Sequence, residues 1–110
     1  MNAFNKIKQI AEINPYGFTI SLLDFSTPKS GYIVAMQLTQ NHFGDDGLKK
    51  VIEVAEKSTF CVGGWFDEKQ KQFYYDCVMI VQDLETALQL GKANKQIAIY
   101  HIDTQSEIRL

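Results

Sequence analysis

Asp76 is the residue in this chain whose placement most suggests chemistry. It interrupts an apolar, aromatic run, Gln72-Phe73-Tyr74-Tyr75-Asp76-Cys77-Val78-Met79-Ile80-Val81. A carboxylate inside such a run is either a hydrogen-bonded structural group, the commoner case, or an ionised group at the edge of an apolar patch, where a partner meets it. Upstream, Gly63-Gly64 interrupts a second run, Phe60-Cys61-Val62-Gly63-Gly64-Trp65-Phe66. Paired glycines in a strand mark a bend, a bulge or a close approach by another group. His42 stands in a polar connection just before a helix, where exposed amides can hold an anion and an imidazole can act as base or ligand; a surface histidine is the plainer reading. His101 falls in a late apolar run and reads as a hydrogen-bonded, partly buried side chain. Asn94 and Gln96 precede that run and can reach the rim of Tyr74 and Asp76 if the strands are neighbours. The candidate binding residues are therefore Trp65, Phe66, Tyr74, Asp76, His42, Asn94 and Gln96.

No motif assigns any of them a catalytic role. GxSxG, P-loop, HExxH and GxGxxG patterns are absent. The two histidines are far apart in sequence and no third ligand accompanies them, so no metal site is expected. No cofactor is implied. Cys61 and Cys77 have no CxxC spacing and read as reduced, packed thiols.

The elements that must position these residues follow from periodicity. The two runs flank a charged turn, Asp67-Glu68-Lys69-Gln70-Lys71, and form a β-hairpin. It holds the only Trp, both Cys and three of the seven Phe, so the rest of the chain is expected to pack against it. With Cys61 opposite Cys77 and Trp65 opposite Phe73, one face carries Cys61, Trp65, Phe73, Tyr75, Cys77, Met79 and Val81 as core. The other carries Val62, Gly64, Phe66, Tyr74, Asp76, Val78 and Ile80, and is too apolar to be ordinary surface.

Residues 3–13 place Phe4, Ile7, Ile10 and Ala11 on one helix face, with Asn2 as cap and Asn14-Pro15 as stop. Residues 1–14 thus read as an N-terminal helical arm. Residues 17–23 and 31–38 read as strands, able to pair through the loop between them. A helix from Asp45 or Asp46 to about Lys57 buries Leu48, Val51, Ile52 and Ala55. A second, capped by Asp83, runs over residues 84–93, with Gly91 allowing close approach to the sheet and Asn94 as a left-handed cap. Residues 97–102 form the last clear strand, and 107–110 can add an edge. The fold class is α+β: one domain spanning residues 1–110, with a mixed or mainly antiparallel sheet of about five strands and two or three helices on one face.

Composition bounds the function. The net charge is -2, pI is about 5.6, and Arg109 is the only arginine, which argues against broad nucleic-acid binding. No run is apolar enough to span a membrane and no signal-peptide pattern opens the chain, so a cytoplasmic location is expected.

Several segments are similar to a known group: Ser30-Gly31-Tyr32-Ile33-Val34-Ala35, Thr39-Gln40-Asn41-His42-Phe43-Gly44, Gly63-Gly64-Trp65-Phe66-Asp67, Tyr74-Tyr75-Asp76, and Asn94-Lys95-Gln96-Ile97-Ala98-Ile99 closing on Glu107-Ile108. From about residue 16 the chain resembles small proteins and C-terminal modules carried by phages and conjugative elements of gut bacteria. The resemblance implies a mobile-element setting and no established activity. The resulting expectation is a small accessory protein that acts as a protein-interaction module, non-enzymatic, with a protein partner or a homodimer. The alternative is an enzyme acting on a nucleotide or nucleic acid, with a pocket near Trp65, Tyr74 and Asp76.

Overall fold

The computed structural model describes residues 2–110 and divides them into three helices and seven strands. In chain order these are α1 (Ala3–Ile13), β1 (Phe18–Ser21), β2 (Tyr32–Ala35), β3 (His42–Phe43), α2 (Gly44–Glu56), β4 (Cys61–Asp67), β5 (Gln72–Val81), α3 (Leu84–Ala93), β6 (Ala98–His101) and β7 (Ser106–Arg109). The strands make one antiparallel sheet, ordered β1-β4-β5-β2-β6-β7, with β3 also on β5. The sheet is larger than the expected five strands, because β7 adds an edge and because β3 is too short to show as a pattern.

Residues 17–23 and 31–38 do not pair with each other. β1 joins β4 and β2 joins β5, so the β1–β2 connection crosses the ends of the two hairpin strands. The segment from β2 to β6 forms two interleaved strand-helix-strand units, β2-α2-β4 and β5-α3-β6, each with a strand of the other between its own two. This is the split β-α-β arrangement of ferredoxin-like sheets.

All three helices pack on one face. Ile7 and Ala11 of α1 and Leu48, Val51 and Ala55 of α2 meet Ile20, Val62, Tyr75 and Cys77 of the sheet. Ile7, Leu48, Val51 and Val62 are fully buried, and burial of such a side chain contributes about 1.5–3 kcal/mol. The N-terminal helix is therefore part of the main core, and Lys8 Nζ, 2.7 Å from Asp45 Oδ1, ties it to the start of α2. A smaller cluster of Val34, Ala87 and Ile99 lies beneath α3. Gly91 allows the expected close approach there: a Cβ at that position would lie 2.6 Å from Leu110 Cδ1 and 2.9 Å from Ile99 Cγ2.

Cap positions shift slightly from expectation. The N-cap of α2 is Phe43, with Asp45 and Asp46 inside the first turn, where acids complement the helix dipole. Asn94 closes α3 at φ -92°, and the left-handed residue is Lys95. Asp83 caps α3 as expected, accepting from the Thr86 N–H at 2.8 Å.

The organising hairpin is present, but its register differs by one residue from Cys61 opposite Cys77. Val62 pairs with Cys77, Trp65 with Tyr74, and Asp67 with Gln72. Asp67 both belongs to the strand and starts the turn: its carboxylate accepts from Lys69 N–H at 2.9 Å, and Lys71 closes the turn at φ 58°. A one-residue slip exchanges the faces of a strand. Trp65 therefore leaves the core side for the helix-free face, and Phe66 takes its place among the core aromatics, 6.2 Å from Phe73 between ring centroids. Cys61 and Cys77 point to opposite faces as free thiols.

Candidate functional site

The helix-free face of the sheet carries Thr19, Gly63, Trp65, Tyr74, Asp76, Val78, Ile33, Ala35, Tyr100 and Glu107 by strand alternation. It is concave. A trough of about 680 Å³ runs across it from Tyr16 and Thr19 at the β1 edge to Tyr100 and Glu107 at the far edge, and Thr27 and Pro28 of the β1–β2 connection form part of its wall. A second cavity of about 410 Å³ adjoins it, walled by Gln40, Asn41, Asp67, Gln70, Tyr74 and Gln96 among others. Ala35, Trp65 and Asp76 line both.

The smaller cavity exists because β2 and β3 share one edge of β5 with a gap between them. After Ala35 the chain leaves the sheet, makes a single 3-10 turn at Gln37–Thr39, and returns at His42. Two bonds carry β5 across the gap. Met36 N–H donates to Cys77 O at 3.0 Å, and the Cys77 N–H donates to Thr39 Oγ1 at 2.8 Å. Thr39 is fully buried, so its hydroxyl replaces a strand carbonyl that would otherwise be missing.

Asp76 lies where the two cavities join. Its carboxylate leans over Gly63: a Cβ at residue 63 would lie 2.8 Å from Asp76 Oδ1. Gly64 is small for a different reason, since the Phe18 ring covers it on the helix side at 2.6 Å from the ideal Cβ. The two glycines thus serve opposite faces, one as floor for a carboxylate and one as bed for an aromatic ring. Among the described residues, no donor reaches the Asp76 carboxylate. Burial alone raises its pKa from about 3.8 to about 6. The commoner expectation, a carboxylate satisfied within the chain, is not what the structure shows.

Beside it, the Trp65 and Tyr74 rings stack at 5.3 Å and 21°, and the Phe43 ring meets Tyr74 edge-on at 5.7 Å. Tyr74 Oη donates to Gln70 Oε1 at 2.8 Å, which fixes the phenol. Trp65 remains 50% exposed and Tyr16 97% exposed, large apolar areas to leave in water at the rim of a cavity.

Of the residues singled out in the sequence, Trp65, Tyr74, Asp76 and Gln96 come together here. Phe66 does not, because the register places it on the helix side. His42 does not, because it pairs with Tyr75 and so faces the helices; its Nδ1 donates to Thr39 O at 2.9 Å. Asn94 is structural: its Oδ1 accepts from Gln37 N–H at 3.1 Å and its Nδ2 donates to Leu90 O at 2.9 Å. Tyr16, Tyr100 and Glu107 were not singled out, and only Tyr100 gave a signal, as an aromatic on the outward side of a strand.

A second polar constellation lies in the β6–β7 turn. His101 Nδ1 is 2.8 Å from Thr104 Oγ1, which is 2.6 Å from Ser106 Oγ, and His101 Nε2 is 3.4 Å from Asp103 Oδ1. A hydroxyl-imidazole-carboxylate chain is the arrangement of nucleophilic hydrolases. Here it is a turn fastening: the Asp103 carboxylate also accepts from Gly31 N–H at 2.8 Å, and the His101 ring stacks on Tyr32 at 4.3 Å. Neither His101 nor Thr104 lines either cavity.

No group of three or more His, Cys, Asp or Glu among the described residues is placed to hold a metal ion. No helix among them is long and apolar enough to cross a membrane. Comparison with protein-family models, with curated proteins and with solved structures finds no match.

Proposed function

We propose that this protein is a protein-interaction module that engages its partner on the helix-free face of the sheet. One observation carries the reading: where the cavities meet at Asp76, the half-exposed Trp65 ring stacked on Tyr74 lies with a carboxylate that no group among the described residues hydrogen-bonds. Aromatic anchors beside a partly desolvated polar group are the composition of an interaction hot spot. The accessory role in a mobile element implied by the resemblance fits a module that binds rather than transforms.

The competing idea, catalysis on a nucleotide or nucleic acid, has less support. Sheets of this topology do present aromatics to bases on the open face in RNA-recognition modules. Among the described residues, however, neither cavity is lined by Lys, Arg or His, so a phosphate placed there meets Asp76, Asp67 and Glu107 and no cation.

The test is capture from a lysate of the cells the protein comes from, comparing the parent with Trp65→Ala and with Ile13→Ser. Ile13 is 80% exposed on the helical side and serves as the control. The reading expects a protein captured by the parent and Ile13→Ser and lost with Trp65→Ala. Nucleic acid recovered in its place, or a partner retained by Trp65→Ala, overturns it.

A further inference from the structure

The chemistry of the trough says what kind of partner fits. Its two cavities meet at Ala35, Trp65 and Asp76. The Asp76 side chain is partly buried, opens into both cavities and has no donor of its own among the described residues. Asp67 lines the smaller cavity and Glu107 the larger, and no Lys, Arg or His among the described residues lines either. A carboxylate partly withdrawn from water without a counter-charge is costly to keep. An opposite charge supplied from outside removes that cost on binding. The Trp65 and Tyr74 rings beside it attract cations through their faces.

We propose that the trough binds an extended basic segment of a partner protein, with the cationic head of one lysine or arginine seated on Asp76 beside Trp65. This rests on the interaction reading above and names the partner's chemistry. The position of the carboxylate selects a segment over a small free amine. Open cavity lies on both sides of Asp76, so the group that carries the cation can continue in both directions, as an internal residue of a peptide does.

Trp65 is the only tryptophan, so its fluorescence reports on this site directly. The probe is hexalysine at physiological ionic strength, compared with its fully ε-acetylated form and with lysinamide. The expected result is a saturable change with hexalysine that Asp76→Asn weakens by about tenfold or more, the loss expected for a charge-assisted hydrogen bond. Acetylation weakens it similarly, and Glu56→Gln, an exposed carboxylate on the helical side, leaves it unchanged. Equal binding by the parent and Asp76→Asn, or by the free and acetylated peptides, overturns the cation assignment. Lysinamide binding as tightly as hexalysine overturns the segment. Asp76→Asn removes a carboxylate that no internal donor supports, so the variant is expected to fold. If Trp65-dependent capture of a protein succeeds while hexalysine fails, the partner chemistry is wrong and the interaction surface stands. If both fail, the surface itself is refuted.

Discussion

Asp76 and Asp103 are two carboxylates attached to the same sheet, and the chain treats them oppositely. Asp103 accepts from the Gly31 N–H and approaches His101, so it joins the start of β2 to the β6–β7 turn. Asp76 lies deeper, on a glycine floor, and receives nothing from the described residues. A structural carboxylate earns its place through the bonds it makes inside the molecule. One that is partly desolvated without them lowers stability, and on the proposed reading it is kept for a partner. On the proposed reading, the difference between them separates scaffold from site.

Replacing Asp76 should break that contrast most strongly. The native carboxyl titrates near 6 and the unfolded one near 3.8, so between these values the native state binds more protons and stability falls as pH rises. Asp76→Asn should remove that slope. The variant is expected to be more stable than the parent by about 2–3 kcal/mol above pH 6, with the gain disappearing below about pH 4, as read by urea unfolding across the pH range. A variant less stable than the parent at pH 7 would place a hydrogen bond on Asp76.

Asp103→Ala should act in the other direction. Loss of the acceptor for Gly31 N–H is expected to cost about 1–2 kcal/mol in the same experiment. A neutral result would show that the turn does not depend on this residue.

The smallest effect sharpens the comparison by coupling. Gly63→Ala brings a methyl group within 2.8 Å of Asp76 Oδ1. It should cost about 1 kcal/mol in the parent and little in an Asp76→Ala background, a double-mutant cycle with a clear coupling energy. Equal costs in both backgrounds would mean that the glycine serves the strand and not the carboxylate.

Much of this architecture is legible in the sequence, because helices and strands announce themselves through local periodicity. The stripe of Leu48, Val51, Ile52 and Ala55 and the Asp83 cap lead directly to α2 and α3. Register is less accessible. Whether Asp67 ends the strand or opens the turn decides which face Trp65 occupies, and Asp67 does both while Lys71 adopts a left-handed conformation without the usual glycine. That ambiguity of one residue moves Trp65 into the site and Phe66 out of it. Strand order is inaccessible for a related reason: β1 and β2 are adjacent in sequence, yet each finds its partner in the hairpin.

The site itself is half legible. The sequence marks Asp76 as misplaced and Gly63-Gly64 as a bend, a bulge or a close approach, and at Gly63 it is the close approach, made by Asp76 itself. The gap between β2 and β3, bridged by the Thr39 hydroxyl, has no local signature. It depends on where two short strands happen to meet a long one.

The central claim is that Asp76 has no hydrogen-bond partner among the described residues and is held for a cation from outside. Titration of its side-chain carboxyl carbon by NMR in the unliganded protein tests this most directly. The account predicts an apparent pKa of about 6. A value at or below the ordinary 3.8 would show a carboxylate already stabilised by internal donors, and would contradict it.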